Sequence, residues 1–139
     1  MNQSAIFWPV IVQVALTYGI YALISRRRIG AIKAGNARPA QFRENQNEPA
    51  ESLFVRNNLA NQFELPVLFF AACLTGHAIG AADTALVVFA WIFALSRIGH
   101  AYIHVTSNRI RYRRPLFVIG FLALAAMWVR VTLSLAGIA

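Results

Sequence analysis

Two short sets of polar residues interrupt otherwise apolar stretches of the chain. Asn57, Asn61 and Glu64 stand four and three residues apart, and Arg97, His100 and His104 stand three and four apart. Residues at those intervals share one face of an α-helix. A carboxylate, a guanidinium and imidazoles on facing helices are the groups that pair ions, transfer protons or ligate metals. A short basic run just downstream carries Arg109, Arg111, Arg113 and Arg114.

The surroundings decide what such residues cost. An ionisable group inside hydrocarbon is penalised by about 2.5–3.5 kcal/mol on insertion scales, so each needs a partner or a function. If helix two enters the bilayer near Glu51, Glu64 lies about 20 Å in at 1.5 Å per residue. Arg97 lies about 18 Å from the same side, counted back from Arg109. The two depths match, and a Glu64–Arg97 ion pair, direct or linked through Asn61, is expected in the bundle interior. His100 and His104 at one-turn spacing would suit a metal only with a third ligand. His77 falls near the opposite membrane face, so no metal is expected.

The elements that carry these residues follow from the composition. The chain has 139 residues, 58% of them hydrophobic and only 13% charged, with a mean hydropathy of +0.54. A soluble domain of this length carries roughly twice that density of charge, and five acidic residues cannot coat a water-facing surface. Apolar stretches at 5–24, 58–79, 85–105 and 115–138 each approach the ~20 residues that an α-helix needs to cross a bilayer. They lack the polar alternation of barrel strands. The expected fold is all-α: a single integral membrane domain over 1–139, a four-helix bundle with helices near 5–27, 50–79, 84–108 and 115–138.

Charge sets the topology. The net charge is +8, and the basic residues cluster in two connections, Arg26 to Arg43 and Arg109 to Arg114, while the link near Gly80 to Asp83 has none. The positive-inside rule puts both basic loops in the cytoplasm and both termini outside. Clustering beside apolar segments points to anionic headgroups rather than nucleic acid. Arg130, near the outer end of helix four, is expected to snorkel to the interface. The lone Cys73 sits in an apolar stretch and reads as a packing residue. The unlike hairpins show no internal repeat and argue against a duplicated transporter.

With the two polar clusters and this layout in place, RNNLANQFELPVLFFAACL (56–74) resembles the second helix of the MAPEG family, the membrane-associated proteins of eicosanoid and glutathione metabolism. RIGHAYIHVTSNRIRYR (97–113) resembles the end of that family's third helix and its following turn. The likeness extends over essentially the whole chain, and NQFELPVLF looks most like a bacterial branch of the family. The resemblance implies a homotrimer in a bacterial inner membrane, with glutathione as co-substrate held between subunits at the cytoplasmic end. It implies Arg111 or Arg113 as the thiolate-stabilising catalytic residue. Arg56, Asn57, Asn61, Glu64, Arg97, His100 and His104 would then be substrate-binding residues.

Three departures touch that pattern. The family's basic residue four before the signature Asn is Asn57 here, with Arg56 displaced by one. His104 stands where a Tyr is common, and Pro66 follows Glu64 by two residues rather than three or more. The expected function is conjugation of glutathione to hydrophobic electrophiles, or a related peroxidase-like reaction. The rival reading is a non-catalytic accessory subunit that binds lipid or partner proteins. A small proton-coupled exporter would need a free membrane carboxylate, which an Arg97 partner would remove.

Overall fold

The computed structural model describes residues 2–138. A 3₁₀ turn, Gln3–Ile6, leads into six helices: α1 (Phe7–Lys33), α2 (Pro39–Glu44), α3 (Ala50–Asn61), α4 (Leu65–Ala78), α5 (Thr84–Val105) and α6 (Ile110–Leu135). No strand occurs among the described residues. Four segments are long and apolar enough to cross a membrane: Gln3–Lys33, Ala50–Ala78, Thr84–Val105 and Ile110–Leu135. The chain is an all-helical integral membrane protein.

The helix boundaries differ most from the sequence reading at two places, while the third and fourth helices end at Val105 and Leu135, each three residues early. The first helix continues beyond residue 27 to Lys33, because nothing in RRRIGAIK breaks it until Gly35, whose φ of +78° closes its C-terminus. The fourth opens at Ile110 rather than at Pro115, which is inside the helix near its start. As the sixth residue of the helix, Pro115 withholds an N–H from the carbonyl of Arg111, one ladder bond lost close to the helix end.

The second span is two helices. Pro66 has no N–H to give the carbonyl of Gln62, and its ring crowds that carbonyl. The chain breaks over Gln62, Phe63 and Glu64, and Glu64 takes φ −96° and ψ −106°. In a continuous helix the carbonyl of Asn61 would accept from Leu65; the break leaves it free for another donor.

Packing follows the rules of helices in lipid, where close approach of small residues replaces a hydrophobic driving force. α5 and α6 form the most extensive pairing, with α1 lying across α3 and α5. At Gly120 an added Cβ would stand 2.5 Å from Ser96 Oγ, which marks how closely α6 approaches α5. The larger apolar cluster includes Ile6, Cys73, Leu86, Met127 and the stacked rings of Phe69 and Phe93, 4.4 Å apart. A smaller one, Ile20, Ile24, Val55, Ala101 and Val105, lies toward the basic end.

The 3₁₀ turn and the last turns of α6 both meet the turn between α4 and α5. Gln3 Nε2 donates to the carbonyl of Gly80 at 2.7 Å. Arg130 does not snorkel alone: its guanidinium grips Asp83 Oδ2 at 2.6 and 2.9 Å and donates to Ser134. Asp83 also caps α5 by accepting from the N–H of Leu86. Burial raises the pKa of its carboxyl, but the Leu86 N–H and the Arg130 charge outweigh this and hold it below the ordinary range.

Candidate functional site

The three-residue break and the two polar faces converge at one level. Arg97 is 2% exposed, and its Nη2 donates to the freed backbone carbonyl of Asn61 at 3.1 Å. The expected ion pair does not form. Glu64 is exposed at the break, and the ion pairs among the described residues join Arg28 and Arg56 to Glu48, Arg43 to Glu44 and Arg130 to Asp83. Arg97 and the break before Pro66 do lie at one height. At the break Glu64 stays exposed and out of contact with Arg97, while the Asn61 carbonyl offers a main-chain acceptor in its place.

Around that anchor runs a buried chain of amides. Gln13 Nε2 donates to Gln62 Oε1 at 2.8 Å, and Gln62 Nε2 donates to Asn58 Oδ1 at 3.0 Å. Asn58 Nδ2 and Asn61 Nδ2 then reach His104 Nδ1 at 3.3 and 3.2 Å. His100 stands edge-on to His104, ring centres 5.7 Å apart. Two buried nitrogens here, Arg97 Nε and His100 Nδ1, have no protein partner.

A cavity of about 280 Å³ opens beside this network, lined by Asn61, His100, Ile110, Arg113, Arg114 and Phe117. The connection between α5 and α6 builds one wall. Asn108 adopts a left-handed φ of 50°, which ends α5 and reverses the chain. Its side-chain oxygen accepts from Arg113, so the turn residue also aims the guanidinium. Arg113 and Arg114 bring two cations to a pocket with an amide and an imidazole on the facing side. Such a pocket suits an anionic or zwitterionic polar ligand, with Ile110 and Phe117 as its apolar edge.

The other site candidates fall elsewhere. Arg111 is exposed and lines an adjoining groove with Pro115 and Val118 that shares Ile110 and Arg114 with the cavity, its guanidinium 6.0 Å from the ring of Tyr112. Asn57 is exposed. Arg56 binds Glu48 Oε2 at 3.1 Å and Asn45 at 3.2 Å, tying the long basic connection to α3. Arg28, on α1, completes this clamp with a two-point contact to Glu48 at 2.9 and 3.2 Å. Burial raises the pKa of the Glu48 carboxyl, but the contacts of Arg28 and Ser52 and the charge of Arg56 outweigh it, leaving a net shift downward. Gln13, Asn58 and Gln62, which spacing does not single out, belong to the buried network, and Arg114 of the basic run belongs to the cavity wall. Gln13 had a visible signal, since it is the one polar amide inside the apolar stretch 5–16.

Fold and cavity together define a four-span helical membrane protein whose basic end carries a cationic polar pocket. The MAPEG family model matches residues 6–133, nearly the whole chain, and the protein belongs to the MAPEG family. It is thereby a membrane protein of the glutathione and eicosanoid metabolism family. No curated protein matches it significantly. No solved structure does so either.

Proposed function

We propose that the protein is a membrane-bound glutathione-dependent transferase acting on hydrophobic electrophiles. The observation that carries this reading is the convergence of Arg113 and Arg114 with Asn61 and His100 around one cavity that has an apolar edge. Glutathione offers carboxylates for guanidinium forks, amide and ammonium N–H groups for the Asn61 side, and a thiol. A guanidinium beside that thiol favours the thiolate, which is the nucleophile. The thiolate sulfur attacks the electrophilic carbon, a carbon–sulfur bond forms, and the leaving group departs with the bonding pair. With a hydroperoxide the same thiolate attacks the terminal oxygen, the O–O bond breaks, and the alkoxide leaves and takes a proton; a second thiol then displaces water from the resulting sulfenic acid to give the disulfide.

On this reading Arg113 is the thiolate-stabilising residue, in preference to Arg111, because its side chain lines the cavity. Asn61 and His100 bind beside it, and Arg97 and His104 hold the wall. The protein works as a homotrimer in a bacterial inner membrane, with basic loops in the cytoplasm and termini outside. Glu64, exposed at the break, then faces a neighbouring subunit or the ligand rather than lipid.

The accessory-subunit reading draws on a different observation. Arg56 is already engaged by Glu48 and Asn45, and Arg97 by the Asn61 carbonyl, so two of the residues nominated for ligand serve the scaffold. Thiolate absorbance of glutathione mixed with detergent-purified protein separates the two readings. A thiolate signal at neutral pH, lost in Arg113→Ala and followed by conjugation of an aryl halide, supports the enzyme. No signal at millimolar glutathione leaves the accessory role.

A further inference from the structure

The amide chain has a direction, and one contact fixes it. An Asn or Gln side chain carries an acceptor oxygen and a donor nitrogen at nearly the same place, so a row of amides could run either way. Here the Gln62 atom nearest Asn58 approaches the Asn58 backbone carbonyl at 3.4 Å as well as Asn58 Oδ1 at 3.0 Å. A backbone carbonyl only accepts, so that atom is the nitrogen. Gln62 Oε1 therefore faces Gln13 and accepts from it. Asn58 Oδ1 is then occupied, and its Nδ2 is the group turned to His104.

Two N–H donors, from Asn58 and Asn61, meet at His104 Nδ1. That nitrogen must present a lone pair, so the ring proton of neutral His104 lies on Nε2. Asn61 feels the consequence. With its Nδ2 committed to His104, its Oδ1 is the free acceptor of a side chain that lines the cavity. All members except Asn61 are buried, and Gln13 Oε1, at the far end of the row, is the one relay atom left without a protein partner. A hydrogen bond in such surroundings is strengthened by its neighbours, and reversing Gln62 would set its oxygen against the Asn58 oxygens.

We propose that Gln13, Gln62 and Asn58 are positioning residues. They form a one-way relay that holds His104 as its Nε2–H tautomer and so fixes Asn61 as a hydrogen-bond acceptor toward the ligand. The relay selects an N–H group, amide or ammonium, at the Asn61 side of the cavity, opposite the carboxylate-binding arginines. The ligand part of this proposal rests on the thiol-binding reading above; the tautomer does not.

The test is a long-range proton–nitrogen spectrum of the full-length protein in detergent with 15N-labelled histidine. The His104 signals are identified by their loss in His104→Gln. The expected wild-type pattern is a bare Nδ1 and a protonated Nε2. Gln62→Met keeps the side chain's length but offers no donor, so Asn58 is free to turn and the Nδ1–H form should appear. Glutathione affinity should fall about three- to tenfold in the same variant, the worth of roughly one hydrogen bond. Asn58→Leu, which removes one of the two donors, should also populate the Nδ1–H form. A proton on Nδ1 in the wild type overturns the relay, and so does an unchanged pattern in every variant that folds. The expected tautomer without any glutathione signal overturns the thiol reading and leaves the relay standing.

Discussion

Arg97 is anchored on the main-chain carbonyl of Asn61, 3.1 Å away, and not on the carboxylate of Glu64 one turn further along. That acceptor exists because Pro66 interrupts the hydrogen-bond ladder. A proline and an arginine 31 positions apart are therefore one structural unit.

Their coupling is measurable. Arg97→Met leaves the Asn61 carbonyl unpaired inside the bundle, at a cost of about 1–3 kcal/mol. Pro66→Ala restores an N–H and lets the ladder close over Asn61, so it should recover about 1 kcal/mol or more of that loss. The same Pro66→Ala change in the wild type should recover less, because Arg97 already fills the acceptor. Thermal melting of the four proteins in detergent gives the cycle; strictly additive effects would contradict the shared carbonyl.

The two candidate catalytic arginines should separate cleanly. Arg113→Ala is expected to reduce the glutathione thiolate signal by about tenfold or more, the scale of a lost charge-assisted hydrogen bond. Arg111→Ala should change it far less. The reverse order would place the thiol in the adjoining groove and not against His100 and Asn61.

Acid should loosen the protein through Glu48 and Asp83. Both carboxyls sit below their ordinary values of 4.5 and 3.8, so the unfolded chain binds the extra protons. Their stabilising contribution is complete above those ordinary values and fades as the pH falls through them toward the folded pKa. A melting temperature that is flat near neutrality and falls below about pH 4.5 is expected. Glu48→Gln should be less stable at neutral pH, with a shallower fall in acid. An unchanged acid limb would remove the arginine clamp from the account.

Close approach of α6 to α5 gives a packing test. Gly120→Ala forces a methyl to 2.5 Å from Ser96 Oγ, and overpacking of this kind costs about 1–3 kcal/mol. Ser96→Ala removes the oxygen and should rescue much of it, since the Ser96 Cβ lies 3.7 Å from the new methyl. Failure of the rescue would mean that the backbone, not the hydroxyl, limits the approach.

The spans, the basic turn between α5 and α6 and the depth match of the polar clusters were legible in the sequence, because they depend on periodicity, length and charge. The pairing was not. Spacing gives the face a residue occupies only while the helix is unbroken, and Glu64 lies in the break before Pro66, with φ −96° and ψ −106°. Arg130 read as a lone interfacial cation because its partner, Asp83, is 47 positions away in a turn. That Arg113 and not Arg111 lines the cavity depends on the left-handed Asn108, a conformation no pattern of hydrophobicity records. Gln62 and Asn58 were passed over because amides in a half-polar stretch do not announce that they bond to one another.

The unequal division of the apolar core has a dynamic meaning. The larger cluster, with Phe69, Phe93 and Met127, binds α4, α5 and α6 near the termini, while the basic end rests on a few aliphatic contacts and polar links. Regions with fewer apolar contacts open at lower free energy than the core. Transient fluctuations should therefore begin around α3 and the end of α5, with amide exchange fastest there and slowest near Met127. A ligand could enter the basic end through such local breathing while the rest of the bundle stays closed.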